Sequence, residues 1–549
     1  MRGYELPAPP SAMFRSRKSS AKWKRALFFF HRWAGILLCV LFALWYLSGV
    51  VMMYMPFPEL TALERREGLP ALDFSSARLT PAQIVSRLHR DDFCIAGHPD
   101  GNTVLAACAG ARQARPMASD IQIGMLLGRP VYRIGVRGGA QPRTIYADTG
   151  ELLQQVTPQM ARAVAVDFAL RAGWITNPAA VAYDGQIQTD QWTVSGEMNA
   201  YRPLFRFSLN DKKGTELYVS STTAQVVRDT RRRERIANYF GAVTHWIYPT
   251  FLRRHLDMWT WIIDITSGLG TLVAISGLWA GILRWRWVRP PGVSAIPYRR
   301  WMRWHFITGA LFGVLTLTWV FSGLLSMNPG GLDPSRRPTP AETRVLSGKG
   351  FTASDFQVIP AVKPLDGVVE ATLLHYAGQP FYRFLYRDGT MKLVSAARDT
   401  NTVHWPTIAA LLARAPAIEP EVPLSQLTVL RHYDDYYYTR DGIDGGKPLP
   451  AIRAKFADAA HTWFYIDVTT GQIVARCTRI NRVYRWLYNG LHSWDFPWLW
   501  NRRPLWDIVV IGMSLCGLCL SVLGVIVGIR RLQFDLAKLA ERGHRLEPR

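Results

Sequence analysis

The chain has 549 residues, 49% of them hydrophobic, and a mean hydropathy of 0.00. Its formal charge is +24, but three basic clusters flank apolar runs and no zinc-finger, homeodomain or RNA-binding motif occurs, which argues against a nucleic-acid partner. Six cysteines are too few for a disulfide scaffold, although Cys94 and Cys108 could form one disulfide in an oxidising compartment.

Four apolar runs are long enough to cross a bilayer, because roughly 20 helical residues span ~30 Å of hydrocarbon. They lie at about 26–55, 258–282, 304–327 and 505–529. Basic residues precede the first and third runs and follow the second and fourth, which assigns these ends to the cytoplasm. We therefore predict a multi-pass protein of a bacterial inner membrane, with the lipid bilayer as its surroundings, both termini cytoplasmic and the large segments periplasmic.

The expected fold is an α-helical membrane protein, with four transmembrane helices as two parallel repeats and two periplasmic α+β domains. In chain order we predict a basic N-terminus (1–25), a first span (26–55), a periplasmic domain (56–235), an interfacial helix with the second span (236–286), a cytoplasmic loop (287–303), a third span (304–327), a second periplasmic domain (328–482), an interfacial helix with the fourth span (483–531), and a cytoplasmic tail (532–549).

The repeats are detected as self-similarity in three registers. A shift of 274 residues aligns His31 with His305, Trp45 with Trp319, and Ser48-Gly49 with Ser322-Gly323. A shift of 250 aligns the segment 128–133 with 378–383. A shift of 247 aligns His245 with His492, Trp259 with Trp506, and Gly277 with Gly524. Both copies would cross the membrane in the same direction, so the repeats are parallel and related by an axis along the membrane normal.

The long polar segments combine helical stretches, such as 81–90 and 158–172, with alternating strands. Strands are expected at 131–134 and 144–150, at 204–209 and 216–227, and at 464–471. Several of these end in Thr-Gly, because glycine accepts the positive φ that the following turn requires.

The strand-and-turn sequences IYADTGEL and FYIDVTTGQIV resemble the signature of PepSY domains. The run His31-Arg-Trp-Ala-Gly35 after a basic N-terminus resembles the opening of the PepSY-associated transmembrane family. That family includes iron-regulated inner-membrane proteins and haem-containing ferric-siderophore reductases. The resemblance covers nearly the whole chain and implies a periplasmic acceptor such as a ferric siderophore. Some relatives carry a fused reductase module, and no such module is recognised in this sequence after Arg531. The electron donor is therefore expected to be separate, either quinol or a cytoplasmic reductase.

Four matched histidines are the candidate site, because histidines at membrane depth suggest function. His31 and His305 lie near the start of the first and third spans, and two imidazoles on facing helices can bind one haem iron. His245 and His492 lie in aromatic stretches, 236–252 and 483–500, that we expect to be interfacial helices ended by prolines. We therefore predict two b-type haems, one near each membrane face; the absence of CxxCH excludes covalent attachment.

Other residues compete less well for this role. His255 is an alternative ligand near the outer face, but its equivalent is Arg502. Six further histidines are expected to be surface or packing residues: His89, His98, His375, His404, His432 and His461. The run 433–438, which reads Tyr-Asp-Asp-Tyr-Tyr-Tyr, could offer oxygen ligands to a hard cation, or could be an ordinary tyrosine-rich strand.

The leading hypothesis is a di-haem electron-transfer protein that reduces a periplasmic acceptor, most plausibly a ferric siderophore. A second hypothesis is a non-enzymatic membrane sensor or protease-regulatory protein with structural histidines. A transporter is a third, which the small number of charged residues in the spans disfavours.

Overall fold

The computed structural model describes residues 12–87, 118–136, 142–397, 403–439 and 447–544. Cys94 and Cys108, with the predicted disulfide between them, lie outside these ranges, as do His89 and His98. The chain forms two compact units. The membrane unit comprises residues 1–56, 237–332 and 483–549, and the sheet-rich unit comprises residues 57–236 and 333–482.

The described α-helices are α1 Ala12–Tyr54, α2 Ala62–Gly68, α3 Pro81–Arg87, α4 Pro158–Arg171, α5 Arg232–Phe240, α6 Ala242–His245, α7 Thr250–Arg253, α8 Leu256–Arg284, α9 Arg300–Ser326, α10 Pro340–Ser347, α11 Ile408–Arg414, α12 Arg479–Arg485, α13 Leu491–Ser493, α14 Pro497–Trp500 and α15 Leu505–His544. Short 3₁₀ turns lie at Pro178–Ala180, Gly196–Tyr201, Pro329–Gly331, Ala353–Asp355, Pro364–Asp366 and Ala415–Ile418, and a π-helical turn at Trp486–Gly490.

The strands are β1 Ala118–Leu126, β2 Arg129–Val136, β3 Arg143–Tyr146, β4 Ala182–Ile187, β5 Leu204–Ser208, β6 Glu216–Ser220, β7 Val226–Thr230, β8 Val368–Tyr376, β9 Gln379–Tyr386, β10 Met391–Ser395, β11 Leu424–Leu430, β12 Ala451–Phe456, β13 Trp463–Asp467 and β14 Ile473–Cys477. They form one six-stranded sheet, in the order β10-β9-β8-β1-β2-β3, and two four-stranded sheets, β4-β5-β6-β7 and β11-β12-β13-β14.

Four of the described helices are long and apolar enough to cross a membrane, which confirms the prediction of a multi-pass membrane protein. The spans are Lys22–Tyr54, Leu256–Arg284, Arg300–Ser326 and Leu505–Glu541, within α1, α8, α9 and α15. Each exceeds the roughly 20 residues that a bilayer requires. The four helices overlap the four predicted spans.

The spanning helices form a bundle in which α1 packs against α8 and α15, and α9 packs against the same two helices. Helices α1 and α9 therefore lie diagonally opposite one another. Small residues permit the close approach, as is usual between membrane helices. A Cβ on Gly270 would lie 2.9 Å from both Phe42 and Val320, and one on Gly313 would lie 2.7 Å from Leu278.

The two four-stranded sheets of the sheet-rich unit are built in the same way. In each, a helix covers one face of an antiparallel meander. Phe168 of α4 packs with Phe205 and Phe207 on the first sheet, and Leu411 of α11 packs with Ile452 and Phe464 on the second. These side chains are at most 5% exposed, so each helix closes a separate apolar core.

The six-stranded sheet contains strands from both long segments, which the prediction had divided into two domains. β1 pairs with β8 in antiparallel register, Gln122 opposite Thr372 and Ile123 opposite Ala371. Thr372 is the residue 250 positions after Gln122, so this pair joins equivalents in one of the registers read from the sequence. A local two-fold relation therefore passes through the β1–β8 junction.

Several predicted elements differ in detail. The expected strand 216–227 is two strands, β6 and β7, separated by a turn at which Ala224 has φ +51°. Gly150 and Gly471 adopt the positive φ expected of them, +82° and +68°. The expected interfacial helices are broken into short turns, and each proline begins a turn instead of ending a helix: Pro249 is the N-cap of α7 and Pro497 the first residue of α14.

Candidate functional site: two histidine pairs in the membrane unit

The structure brings His31 of α1 and His305 of α9 together across the diagonal of the bundle. Their ring centres are 6.5 Å apart and the rings are inclined by 30°. Both side chains are half-buried. The four helices place equivalent positions of α1 and α9 at one depth, so two residues 274 positions apart face each other.

The Nδ1 atom of His31 lies 3.1 Å from the carbonyl oxygen of Val273, an atom that can only accept a hydrogen bond. Nδ1 therefore carries the proton, and Nε2 keeps the lone pair that metal coordination requires. His305 interacts with the carbonyl of Leu520, the register equivalent of Val273, although its buried Nδ1 has no hydrogen bond of ordinary geometry among the described residues.

His245 and His492 form the second pair, with ring centres 6.1 Å apart and an interplanar angle of 72°. His245 ends the four-residue helix α6, and His492 is the middle residue of α13. Each backbone is held by a tryptophan from a spanning helix. Trp45 Nε1 donates to the carbonyl of His245 over 2.9 Å, and Trp319 Nε1 donates to that of His492 over 2.7 Å.

A serine fixes the tautomer of each ring in this second pair. Ser48 Oγ lies 3.0 Å from Nδ1 of His245 and donates its own hydrogen to the carbonyl of Leu44. Ser322 Oγ lies 3.1 Å from Nδ1 of His492 and donates to the carbonyl of Trp319. Because each hydroxyl hydrogen is already used, Nδ1–H donates to the serine oxygen and Nε2 is the unprotonated atom in both rings.

Each of the four imidazole rings lies against a glycine of a neighbouring helix. A Cβ on Gly49 or Gly323 would come within 3.6 or 3.5 Å of Cε1 of the histidine above it. For His31 the contact is tighter, since a Cβ on Gly277 would lie 2.6 Å from Cε1, whereas one on Gly524 would lie 3.7 Å from Cε1 of His305. The glycines thus let the rings lie close to a neighbouring helix backbone.

The spacing of both pairs suits one metal ion between two rings. Two imidazoles that bind a metal from opposite sides, through metal–nitrogen bonds of roughly 2 Å, have ring centres roughly 6 Å apart. Neutral imidazoles with Nδ1 directed to the protein and Nε2 available are the ligands of b-type haem iron. The residues present therefore fit bis-histidine haem, although a haem-binding role for them stays a prediction.

The two pairs lie far apart along the bundle. Gly49 contacts the ring of His245, and His31 is 49 − 31 = 18 residues earlier on the same helix, which is roughly 27 Å at 1.5 Å per residue. The bundle between them is filled, because Tyr46 donates to Thr316 Oγ1 over 3.0 Å and its ring lies 5.3 Å from that of Trp319. The site is therefore two separate centres.

The competing histidines lie elsewhere. His255 is the exposed N-cap residue of α8 and contacts neither pair in the described structure, and its equivalent Arg502 is exposed as well. His375 is a packing residue as predicted: it is 3% exposed, bonds Asp355 over 2.8 Å and packs on Phe356. Three further histidines are exposed: His404, His432 and His461.

The tyrosine-rich segment 433–438 is occupied by internal contacts. Asp434 accepts hydrogen bonds from Arg453 and Tyr465, and Tyr437 stacks on Tyr465 with ring centres 4.7 Å apart. The segment follows β11 as a loop. In the parts of the chain that the structure describes, no group of three or more histidine, cysteine or acidic residues is placed to hold a metal ion.

The sequence did not reveal what the serines and glycines around the pairs do. Ser48-Gly49, Ser322-Gly323 and Gly277 stand out in the sequence only as repeated positions, and Ser276, which lies 3.3 Å from Nδ1 of His31, is not among them. The available signal is that these residues, like the histidines, have equivalents in the other copy: Ser48-Gly49, beside His245, at a shift of 274, and Gly277, beside His31, at a shift of 247.

In the comparison with protein families, residues 28–356 match the family described as the PepSY-associated TM region. The matched range contains three of the four site histidines, all but His492, and covers the second and third spans and most of the first. Comparison with curated proteins gives no match.

Proposed function

Since the chain belongs to the PepSY-associated TM region family, we propose that it is an inner-membrane, di-haem electron-transfer protein that reduces a periplasmic acceptor. The proposed ligands are His31 with His305, and His245 with His492. A ferric siderophore is the acceptor we favour, with quinol or a cytoplasmic reductase as the electron donor. The observation that carries the proposal is the pairing of four histidines, each with its own equivalent, at the spacing of a shared metal ion.

The surrounding hydrogen bonds support ligation over a purely structural role. In three of the rings, Nδ1 has a partner that fixes its proton and directs the opposite nitrogen to the metal position. Such outer partners typically change metal affinity 10–100-fold. If the histidines only stabilised the fold, there would be no reason for each one to face its repeat equivalent in both pairs.

In this proposal the residues of the chain orient the ligands and exclude water. Val273, Ser48 and Ser322 hold the imidazoles in the metal-binding tautomer, and the apolar faces of the bundle keep each centre dry. Bound haem would supply one-electron transfer. His31 with His305, and His245 with His492, would hold one such group each, so that this chemistry could connect the two sides of the membrane. Reduction favours iron release because ferrous iron binds hard oxygen ligands more weakly than ferric iron.

The orientation belongs to the same proposal. The basic residues at the start of α1 and α9 and at the end of α8 would keep these ends cytoplasmic, with residues 57–236 and 333–482 periplasmic. The repeated contacts at shifts of 274, 250 and 247 support two parallel repeats with two PepSY-like domains. Reporter fusions after Arg531 should report cytoplasm and fusions at Gly214 periplasm; the opposite pattern would contradict the orientation.

The absorption spectrum of the detergent-purified protein tests the haem proposal directly. We expect a Soret band, sharp α and β bands on reduction, and a haem-to-protein ratio near two. A colourless protein from haem-replete cells would reject electron transfer and leave the non-enzymatic sensor as the better hypothesis.

A further inference from the structure

An open cleft in the sheet-rich unit, remote in sequence from the histidine pairs, has the character of a ligand site. It has a volume of about 40 Å³ and opens to solvent beside β1 and β2. Much of its wall is apolar and includes Leu69, Phe168 and Val226. Arg65 and Arg133 also line it. The cleft therefore combines apolar surface with two guanidinium groups.

Arg133 is the unusual residue of the cleft. It is 7% exposed, and its buried Nε has no hydrogen-bond partner in the described structure. Its Nη2 donates to the carbonyl of Met125 over 3.3 Å, and no carboxylate among the described residues forms an ion pair with it. A buried charge without a partner of opposite sign is costly, so a residue kept in this state is a candidate for binding a ligand.

The local sequence makes room for this guanidinium. β1 and β2 run side by side with Gln122 opposite Arg133, and a Cβ on Gly124 would lie 2.5 Å from Nη1 of Arg133. Burial lowers the pKa of Arg133 to about 10, which still leaves the group charged at neutral pH. Gly124 therefore allows a charged group to lie under the cleft.

The other charges near the cleft are compensated. Arg65 pairs with Glu370, and Asp167 accepts from Arg171 over 3.0 Å. Glu370 also attracts Arg133 at longer range, but its ion pair is with Arg65, so Arg133 is the guanidinium of the cleft without an ion pair of its own among the described residues. A planar guanidinium with free N–H donors matches a carboxylate, which it can bind through two parallel hydrogen bonds.

We propose that this cleft binds a carboxylate carried on an apolar group, with Arg133 as the residue that recognises the carboxylate. The C-terminus of a peptide ending in an apolar residue and a free branched carboxylic acid share this chemistry. The apolar wall at Leu69, Phe168 and Val226 takes the attached group. The proposal is independent of the histidine pairs and of haem.

The first test is a ligand-observed NMR titration of the full-length protein in detergent with three probes. N-acetyl-leucine should bind, and N-acetyl-leucinamide, which lacks the charge, should bind at least roughly tenfold more weakly. Equal binding of the acid and the amide, or no binding of either, would overturn the proposal. The third probe, 4-methylpentanoate, has the same apolar group without the peptide bond. Binding as tight as N-acetyl-leucine indicates a free carboxylic acid as the natural ligand, and weaker binding indicates a peptide C-terminus.

The second test uses variants. Arg133→Met should abolish the preference for the acid, whereas Arg383→Met, at the equivalent position of β9, should leave it unchanged. Leu127→Glu keeps Arg133 and places a carboxylate at the 43% exposed mouth of the cleft, so it should weaken acid binding several-fold even if Arg133→Met fails to fold. An unchanged preference in Leu127→Glu, or in folded Arg133→Met, would contradict the proposal.

Discussion

At the scale of single residues, the clearest test concerns two equivalent glycines. A Cβ on Gly277 would lie 2.6 Å from Cε1 of His31, while one on Gly524 would lie 3.7 Å from Cε1 of His305. We expect Gly277→Ala to displace the His31 ring and remove roughly half of the haem per protein, because overpacking forces side chains from their positions.

Gly524→Ala is the matched control, since the distance there is ordinary van der Waals contact. It should keep the haem content of the parent protein, as measured by pyridine haemochrome assay. Equal losses in both variants would show that the glycines act through helix packing in general and not through the ring of His31.

A second residue-scale prediction concerns Asp229 of β7, which is 2% exposed. Burial, assisted by Glu64, raises the pKa of Asp229 to about 7, and Arg231 approaches it only to 3.8 Å. An unfolded aspartate titrates near roughly 3.9. Between these values the folded state binds more protons, so stability falls as pH rises from roughly 4 to 7 and is constant above that window.

Asp229→Asn removes this dependence. We expect the variant to be more stable than the parent protein by roughly 1–3 kcal/mol at pH 8, and the difference to vanish towards pH 4. Thermal unfolding of both proteins in detergent across this range measures it. A difference that is the same at every pH would show that the carboxyl does not titrate in the folded state as inferred.

The candidate site was largely predictable at this scale because of the repeats. His31, His245, His305 and His492 stood out since each had an equivalent in register, and the structure places each beside that equivalent. The tautomers were not predictable. Each tautomer depends on an oxygen atom of Val273, Ser48 or Ser322, and each of these residues lies on a different helix from its histidine. Val273 is 242 positions from His31 in the sequence, and Ser48 is 197 positions from His245.

At the scale of elements, the spanning helices were predictable and the short helices beside them were not. A run of roughly 20 apolar residues has few alternatives to a membrane helix. The stretches 236–252 and 483–500 are too short to dictate their own structure, and contacts with the spanning helices determine it. Trp45 and Trp319, for example, bond the carbonyls of His245 and His492, the last or penultimate residues of their turns.

The contact between α1 and α15 gives a prediction at this scale. A Cβ on Gly517 would lie 2.2 Å from Cζ of Tyr46, whose hydroxyl is anchored on Thr316. Gly517→Ala should therefore push α15 away from α1 and lower stability by roughly 1–3 kcal/mol. Gly512→Ala on the same helix, where a Cβ meets nothing within 4 Å, should be close to neutral. Thermal unfolding of both variants decides this, and equal effects would contradict the specific contact.

At the scale of the whole molecule, the sequence predicted two copies of one unit but not how their sheets combine. A strand can be predicted from the alternation of apolar and polar residues within one segment. Which two edge strands pair with each other depends on the tertiary structure. The pairing of Gln122 with Thr372 joins equivalents of the two copies in one sheet. Two segments predicted as separate domains therefore contribute to one unit.

The same relation between copies governs the last prediction, which concerns how the four histidines divide into two centres. His31 faces His305 and His245 faces His492. If each pair holds one haem, replacing either member of a pair by alanine should remove the same haem and leave about half the parent's haem content. The double variant His31→Ala with His305→Ala should lose little more than either single variant, because one missing axial ligand already disables the centre.

The variants His245→Ala and His492→Ala should instead remove the second haem. Combining His31→Ala with His245→Ala should remove both, since these residues serve different centres roughly 27 Å apart along α1. Haem titration and reduced spectra of the six variants distinguish the arrangements. If His31→Ala and His305→Ala removed spectrally different haems, ligands would pair within a copy, and the geometry that brings each histidine to its own equivalent would not be the one that binds haem.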